Sequence, residues 1–213
     1  MSEANTIGAC HPAIDLTASQ LDHETWDAAT PLSLARYWSG EDAPVSRQAE
    51  ARIVWSEQAL CVRYVCNQTE PLIVSSTPQT DKKTIGLWDF DVCEVFFAPD
   101  EKVLERYFEF EAAPTGEWLD LAIHARPDKR ETDWNFHSGM TVAARVEDDH
   151  VTIAMRIPWC PSIPKPRRGD RWRANLFRCI GSGDTRGYLA WQPTHTPEPN
   201  FHVPQSFGWL RFD

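Results

Sequence analysis

Apolar and polar residues alternate along much of the chain, and a period of two residues is typical of β-strands that bury one face. Residues 51–55 and 60–66 alternate in this way and are joined by polar residues 56–58, so we expect a hairpin. Further strands are predicted at residues 92–98, 106–112, 118–124, 141–145, 151–157, 171–179, 188–191 and 207–212. No run of ten or more residues holds a helical period. The pattern predicts an all-β fold, a two-sheet antiparallel β-sandwich.

Several segments do not follow this strand pattern. Residues 75–86 form a polar stretch before Trp88, and residues 192–206 hold four prolines, two histidines and Phe201. Long loops in a compact domain are often functional, and proline restricts their disorder, so both are predicted walls of a site. Residues 1–13 are expected to be a loose leader, and residues 32–34 to cross one end of the sheets.

The composition narrows the classes of function. The 213 residues fit one sandwich domain, residues 1–213. The formal charge is −10 and the basic residues form only short clusters, which argues against nucleic acid and against membrane surfaces as partners. The first residues lack the basic start and apolar run of a signal peptide, so a cytoplasmic location is expected. The six cysteines show no zinc spacing and are expected to be free thiols, and the oligomeric state is left open.

The segment GLWDFDVCEVFF, residues 86–97, carries the candidate chemistry. It sets Trp88 beside Asp89, Asp91 and Glu94, on a strand expected to bury one face. A sugar ring offers an apolar face that stacks on indole and a rim of hydroxyls that binds carboxylates. A carboxylate on this strand needs a partner, and Arg178 is the predicted one. The ten tryptophans exceed what a core of this size needs, which also favours a binding site.

The chain resembles the family 9 carbohydrate-binding modules and their stand-alone relatives. The resemblance depends on an ordered set of motifs between about residues 14 and 212: LCVRYVC, LWDFDVCEVFF, YFEFEAAPTGEWLD, VTIAMRIPW, WRANLFR, YLAWQP and NFHVPQSFGWLRF. It implies a DOMON-like, jelly-roll-like β-sandwich that binds a sugar or glycan end without cleaving it. It also implies that two aromatic side chains grip the sugar.

The resemblance assigns roles to particular residues. Trp88 corresponds to the first aromatic of the grip, Phe201 to the second, and Glu94 to a glutamate that meets sugar hydroxyls. Trp191 and Arg178 complete the predicted ligand-binding set: Arg178 enters as the partner of Glu94, and the family pattern also allows Trp191 to pack beneath the site. Glu109 stands near a position where the family has a charged contact of the opposite sign, so that contact is not carried over. The resemblance also implies structural calcium, but the acids are scattered and define no site, and no other cofactor is expected.

Two other functions use the same residues differently. Asp89, Asp91 and Glu94 have a spacing found in the acidic cluster of some β-sandwich glycoside hydrolases, where two carboxylates act as nucleophile and acid. The pattern there normally begins with glutamate, so catalysis is the alternative and no catalytic residue is assigned. A haem-binding DOMON-like protein would need axial ligands such as Met and His, and Met1, Met140 and Met155 offer no obvious pairing. His195 and His202 lack an evident third metal ligand, so no metal residue is predicted.

Overall fold

The computed structural model describes residues 5–12, 14–126 and 128–213, and nearly all of its regular structure is β-strand. Among these residues no α-helix is present. The helical segments are short 3-10 helices at Glu24–Ala28, Val45–Arg47, Leu87–Asp89, Gly183–Thr185 and Pro204–Ser206. In the described parts of the chain, no helix has the length and hydropathy needed to cross a membrane.

The strands form two sheets. The larger sheet has nine strands: β1 Thr6–Ala9, β3 Arg36–Tyr37, β6 Val92–Ala98, β7 Arg106–Ala112, β8 Trp118–Ala125, β9 Arg130–Asp133, β12 Arg171–Ile180, β13 Gly187–Ala190 and β14 Gly208–Phe212. Their order is β1-β14-β12-β6-β7-β8-β9, with β13 paired to β12 and β3 paired to β13. The smaller sheet has five strands: β2 Leu32–Leu34, β4 Ala49–Trp55, β5 Ala59–Asn67, β10 Thr141–Val146 and β11 His150–Pro158. Their order is β10-β11-β5-β4-β2.

The main core fills the space between the two sheets. Side chains at alternate positions of each strand point into it, among them Val95 and Phe97 of β6 and Val62 and Tyr64 of β5. Tyr64 also joins the sheets through a hydrogen bond, because its buried hydroxyl donates to the backbone carbonyl of Glu94 at 2.6 Å. The predicted β-sandwich is therefore confirmed.

A second apolar layer covers the outer face of the large sheet. Phe96 and Phe177 project from β6 and β12 on this face, and Leu87, Phe201 and Phe207 pack on them from loops and turns. Every residue of β6 is consequently buried, so the expectation that this strand buries only one face is wrong. The loops that cover the sheet produce this second buried face, and the alternation within β6 does not reveal them.

Two details of the predicted organisation also need correction. Residues 6–9 of the expected loose leader form β1, which pairs in parallel with β14, so the large sheet is mixed and not wholly antiparallel. Residues 1–4 and 13 of that leader lie outside the described residues. Residues 32–34, expected to cross one end of the sheets, form the edge strand β2, antiparallel to β4. Short strands such as these carry too few residues for their alternation to be recognised.

Candidate functional site

A cleft of about 340 Å³ opens on the outer face of the large sheet. Its floor comes from β6, β7 and β8, and its walls come from the segment before β6, from β9 with its following turn, and from the loop between β13 and β14. The lining includes Trp88, Asp89, Glu94, Phe96, Glu109, Arg130, Thr132, Trp134, Tyr188, Asn200, Phe201 and His202. The fold therefore brings together three of the five predicted site residues, namely Trp88, Glu94 and Phe201.

Trp88 lies on a tight turn that presents its ring at the surface. Gly86 begins the turn with φ of 86°, a left-handed conformation that glycine adopts without steric cost, and Leu87–Asp89 forms a 3-10 helix. The guanidinium of Arg186 holds the turn by donating to the backbone carbonyls of Trp88 at 2.5 Å and Phe90 at 2.9 Å. The exposed fraction of Trp88 is 37%, which leaves much of its indole open to the cleft.

The aromatic ring beside Trp88 belongs to Trp134, which the sequence analysis did not select. The two ring centroids are 6.3 Å apart and the ring planes are inclined by 47°. Trp134 directly follows β9, and its exposed fraction is 47%. Two large apolar rings with this exposure at the mouth of one cleft form a surface that can bind a ligand with an apolar face.

Phe201 has a different place from the one expected for a second exposed aromatic wall. Its ring stacks on Phe177 with centroids 4.0 Å apart and planes inclined by 11°, and its exposed fraction is 8%. Tyr188 packs edge-on against it. Phe201 lines the cleft but serves chiefly to anchor the loop between β13 and β14 to the large sheet.

Arg178 does not lie in the cleft, and the predicted pairing with Glu94 is wrong. In the β6–β12 register Glu94 lies opposite Phe177, whereas Arg178 lies opposite Cys93. Directly opposed residues of antiparallel strands share a face, so Glu94 and Arg178 point to opposite sides of the sheet. The guanidinium of Arg178 instead donates to Oε1 of Gln68 at 2.7 Å and to the carbonyl of Arg47 at 2.7 Å.

Trp191 is also outside the cleft. It follows β13, its amide donates to the carbonyl of Leu176, and its ring packs against the core between the sheets. The ring also lies close to Gly208, where a Cβ atom would come within 2.5 Å of it. Trp191 is therefore a packing residue of the sandwich, and it approaches β14 closely because position 208 has no side chain.

Glu94, Glu109 and Glu111 form a carboxylate cluster in the floor. Glu94 lies opposite Glu111 in the β6–β7 register, and Glu109 is two positions from Glu111 on the same face of β7. One carboxylate oxygen from each residue lies within 4.8 Å of those of the other two. Glu94 and Glu109 line the cleft, and Glu111 is fully buried behind them.

Burial raises the pKa of all three carboxyl groups. It raises the pKa of Glu94 to about 8, with repulsion from Glu109 as the next cause. It raises the pKa of Glu109 to about 7, and a hydrogen bond with Glu111 and then the charge of Arg130 oppose this by lowering the pKa. The pKa of Glu111 is held well above its ordinary value by burial and then by repulsion from Glu94 and Glu109.

Few donors reach this cluster. Within the described residues, no donor from outside the cluster meets Oε2 of Glu109 or either carboxyl oxygen of Glu111, and Glu109 and Glu111 share a hydrogen bond with each other. Sγ of Cys179 donates weakly to Glu94 Oε1 at 3.5 Å, and Nδ1 of His202 is 4.0 Å from Glu109 Oε2. Burial lowers the pKa of His202 to about 3, so its ring is neutral. Because buried charges without partners are costly, the cluster requires protons or a cation.

The acidic cluster considered for the catalytic alternative, Asp89, Asp91 and Glu94, is not assembled at the cleft. Asp89 lines it, but the carboxylate of Asp91 accepts hydrogen bonds from the backbone amides of Ile73 at 3.1 Å and Gly181 at 2.7 Å. Asp91 thus ties two loops together beside the sheet. Met140 and Met155, considered as haem ligands, are buried in the core between the sheets. His195 lies apart from His202, with Nδ1 2.8 Å from the carbonyl of Ser39.

Sequence reasoning missed Trp134 and the role of β7. The strand YFEFEA places Glu109 and Glu111 on one face and apolar residues on the other, which resembles an ordinary strand with a solvated face. A signal for the carboxylate cluster was present in the sequence, since Glu109 and Glu111 share one face of a strand that directly follows the strand of Glu94. Trp134 follows a strand of four residues, and its sequence carries no comparable signal.

A β-sandwich with exposed tryptophans and carboxylates at one cleft is typical of carbohydrate-binding β-sandwich proteins. The match to a family model is more specific, since residues 28–212 match carbohydrate-binding family 9. The chain belongs to carbohydrate-binding family 9, and the resemblance in its motifs is confirmed.

Two curated proteins are similar in sequence. They are the UPF0462 protein C4orf33 of Homo sapiens, 30% identical over 135 residues, and its homolog in Rattus norvegicus, 28% identical over 133 residues. Each match covers 60% of this chain and 61% of the relative. The chain thus spans about three-fifths of the length of the curated relatives it matches.

Solved structures share the fold over nearly the whole chain. A protein of Bacteroides uniformis with a proposed carbohydrate-binding role has a TM-score of 0.78 at 17% identity, covering 98% of this chain and 99% of its own. A family 9 module of Caldicellulosiruptor kristjanssonii in complex with glucose has a TM-score of 0.68 at 12% identity, covering 98% and 95%. The same kind of module in complex with cellotriose has a TM-score of 0.67 at 13% identity, covering 97% and 93%.

Proposed function

We propose that this protein binds a sugar, or the end of a glycan, in the cleft on the large sheet and does not cleave it. The observation that carries the proposal is the pair of exposed indole rings of Trp88 and Trp134 above carboxylates in one cleft. The apolar C–H face of a sugar ring stacks on these indoles. Its hydroxyls then reach Glu94 and Glu109 in the floor, where carboxyl oxygens accept hydrogen bonds.

The ligands of structurally similar proteins guide the choice of ligand for a binding assay. The Caldicellulosiruptor kristjanssonii modules are in complex with glucose and with cellotriose. A cleft of about 340 Å³ has room for one or two sugar rings and not for a long chain, which favours a monosaccharide or a glycan end. Glucose and cellotriose are therefore the first probes for this protein.

Isothermal calorimetry with cellotriose tests the proposal on matched tryptophan variants. Trp88→Ala is expected to abolish measurable binding and to leave the protein folded, because the ring lies on a surface turn outside both apolar cores. The matched control is Trp209→Ala on β14, whose ring stacks with Arg171 and Arg173 outside the cleft and whose loss should leave binding intact. Unchanged binding by the Trp88→Ala variant would refute the stacking platform.

Hydrolysis is the alternative, and one observation favours it. Glu94 and Glu109 line the sugar-sized cleft with carboxyl oxygens less than 4.8 Å apart, and retaining glycosidases hold two carboxyl groups about 5–5.5 Å apart. That mechanism needs one ionised and one protonated acid, whereas burial raises the pKa of both groups here. Incubation with cellotriose and detection of new reducing ends separates the two functions, since sustained product release would exclude a binding-only role.

A further inference from the structure

Two cysteines meet across the sandwich, away from the cleft. Cys66 lies near the end of β5 in the small sheet and Cys93 near the start of β6 in the large sheet, and both side chains belong to the core between the sheets. Their Sγ atoms are 3.4 Å apart, with one thiol donating a hydrogen bond to the other. A disulfide bond is about 2.05 Å long, so a movement of roughly 1.4 Å joins the two sulfur atoms.

A buried positive charge lies beside this pair. Arg178 is 4% exposed, and its guanidinium donates to two backbone carbonyls and to the side-chain oxygen of Gln68, all of them uncharged acceptors. Arg178, Cys66 and Cys93 line one cavity with Asp91, whose carboxylate is held by two backbone amides. A buried cation needs an anion nearby, and a thiolate of the cysteine pair can be that anion.

The two thiols differ in how readily they ionise. The hydrogen bond from Cys93 and then the charge of Arg178 lower the pKa of Cys66 to about 7, against the effects of burial and of the charge of Asp91. Burial, and then the hydrogen bond with Cys66, holds the pKa of Cys93 well above its ordinary value. Because the thiolate is the nucleophile, Cys66 is the residue that attacks an oxidant and Cys93 is its resolving partner.

We propose that Cys66 and Cys93 are a redox-active pair, which hydrogen peroxide converts into a disulfide between the two sheets. The sulfur of the Cys66 thiolate attacks one peroxide oxygen, so that an S–O bond forms, the O–O bond breaks and hydroxide leaves. This hydroxide recovers the proton that Cys66 released and becomes water. The Cys93 sulfur then attacks the sulfenic acid on Cys66, the S–S bond forms, and the S–O bond breaks. The second hydroxide leaves with the Cys93 proton as water, so the two sulfurs lose two electrons and the peroxide gains them.

The surroundings of the pair fit a small oxidant and a structural effect. The cavity beside the sulfur atoms is about 10 Å³, close to the space that one water molecule needs, which favours hydrogen peroxide over a bulky disulfide. Glu94 follows Cys93 and lines the cleft on the other face of β6. The disulfide therefore fixes the strand behind the cleft to the opposite sheet. Its formation does not depend on the proposed sugar binding.

Peroxide treatment of the full chain tests the proposal. Reduced, desalted protein is incubated with a small molar excess of hydrogen peroxide, and free thiols are then alkylated in denaturant and mapped by mass spectrometry. We expect two of the six thiols to be lost and the peptides of Cys66 and Cys93 to be linked, with a mass lower by two hydrogen atoms. The link should be reversed by dithiothreitol. Alkylation of both residues after peroxide treatment, or a disulfide between other cysteines alone, would overturn the proposal.

Thermal unfolding measures the effect on the fold. Cys66 and Cys93 are 27 positions apart, and closing a loop of this length restricts the unfolded chain, so oxidation should raise Tm by roughly 5–15 °C. Cys66→Ala should show no rise. The matched control is Cys61→Ala, because Cys61 is also buried on β5 but its Sγ donates to the carbonyl of Leu16, and this variant should keep the full rise. A rise in Cys66→Ala would place the stabilising bond elsewhere and overturn the proposal, and Cys93→Ala gives the same decision if Cys66→Ala does not fold.

The rate of disulfide formation against pH tests the role of Arg178. Since the thiolate attacks, the rate should increase with pH and reach half of its maximum at about pH 7, against roughly 8.5 for an ordinary cysteine. A midpoint at the ordinary value would overturn the assignment of Arg178 as the charge that stabilises the thiolate. The mapped link between Cys66 and Cys93 decides separately whether the pair itself is redox-active.

Discussion

Replacing Trp134 by alanine is the sharpest test of the proposed cleft, because this residue came from the structure alone. A tryptophan side chain has about 250 Å² of surface, so an exposed fraction of 47% leaves roughly 120 Å² available for contact. A sugar ring that covers half of this area and buries an equal area of its own removes about 120 Å² from water. At about 25 cal/mol per Å² this contributes about 3 kcal/mol to binding, or roughly a 100-fold change in Kd.

Calorimetry with cellotriose measures this effect, with thermal unfolding as the check on the fold. We expect Trp134→Ala to weaken binding by roughly 100-fold. The covered half of the side chain, about 130 Å², should also contribute up to about 3 kcal/mol to stability, so Kd is compared at a temperature where thermal unfolding shows the variant to be folded. Trp209→Ala, on the same sheet but outside the cleft, should leave Kd unchanged. An affinity within threefold of wild type for Trp134→Ala would refute the assignment of this ring as a wall of the site.

Three further substitutions separate stability from binding. Phe201→Ala removes a buried ring stacked on Phe177, so it should cost about 3–5 kcal/mol and lower Tm by roughly 10 °C in thermal unfolding. An exposed wall residue would not lower Tm in this way. Arg178→Met leaves the carbonyl of Arg47 and Oε1 of Gln68 without their donor, so it should lower the free energy of unfolding in urea by at least about 2 kcal/mol. The folded variant should still bind cellotriose, and lost affinity at unchanged stability would contradict this structural role. Tyr64→Phe removes the hydrogen bond to the Glu94 carbonyl, which contributes about 1 kcal/mol to stability, so we expect Tm to fall by about 2–4 °C. A Tm drop outside this range would argue against that contribution.

Much of the architecture follows from local pattern. Alternation of apolar residues with a period of two is a property of neighbouring residues, and it predicted β6 at Val92–Ala98 and β7 at Arg106–Ala112 with the bounds that the structure has. The same local information identified Trp88 as a surface aromatic, because it precedes acids at the start of a strand. The two-sheet sandwich follows from the same alternation, whereas the family was indicated by the resemblance of an ordered set of motifs.

Other features depend on which strands become neighbours and in which register. A shift of one residue between β6 and β12 would bring Glu94 opposite Arg178, and the actual register puts Phe177 there. Sequence spacing carries no information on this choice, since register is set by packing of the whole sheet. The carboxylate cluster arises in the same way, from the opposition of Glu94 and Glu111 across β6 and β7.

The sequence by itself determined the fold class, most strands, and the presence of an aromatic beside acids at residues 86–97. Only the tertiary structure decided what faces that aromatic, because loops distant in the chain cover the outer face of the large sheet. They bury Phe201 against Phe177 and leave Trp134 exposed beside Trp88. Local periodicity governs how a strand presents its side chains, whereas long-range packing governs which of them remain open to a ligand.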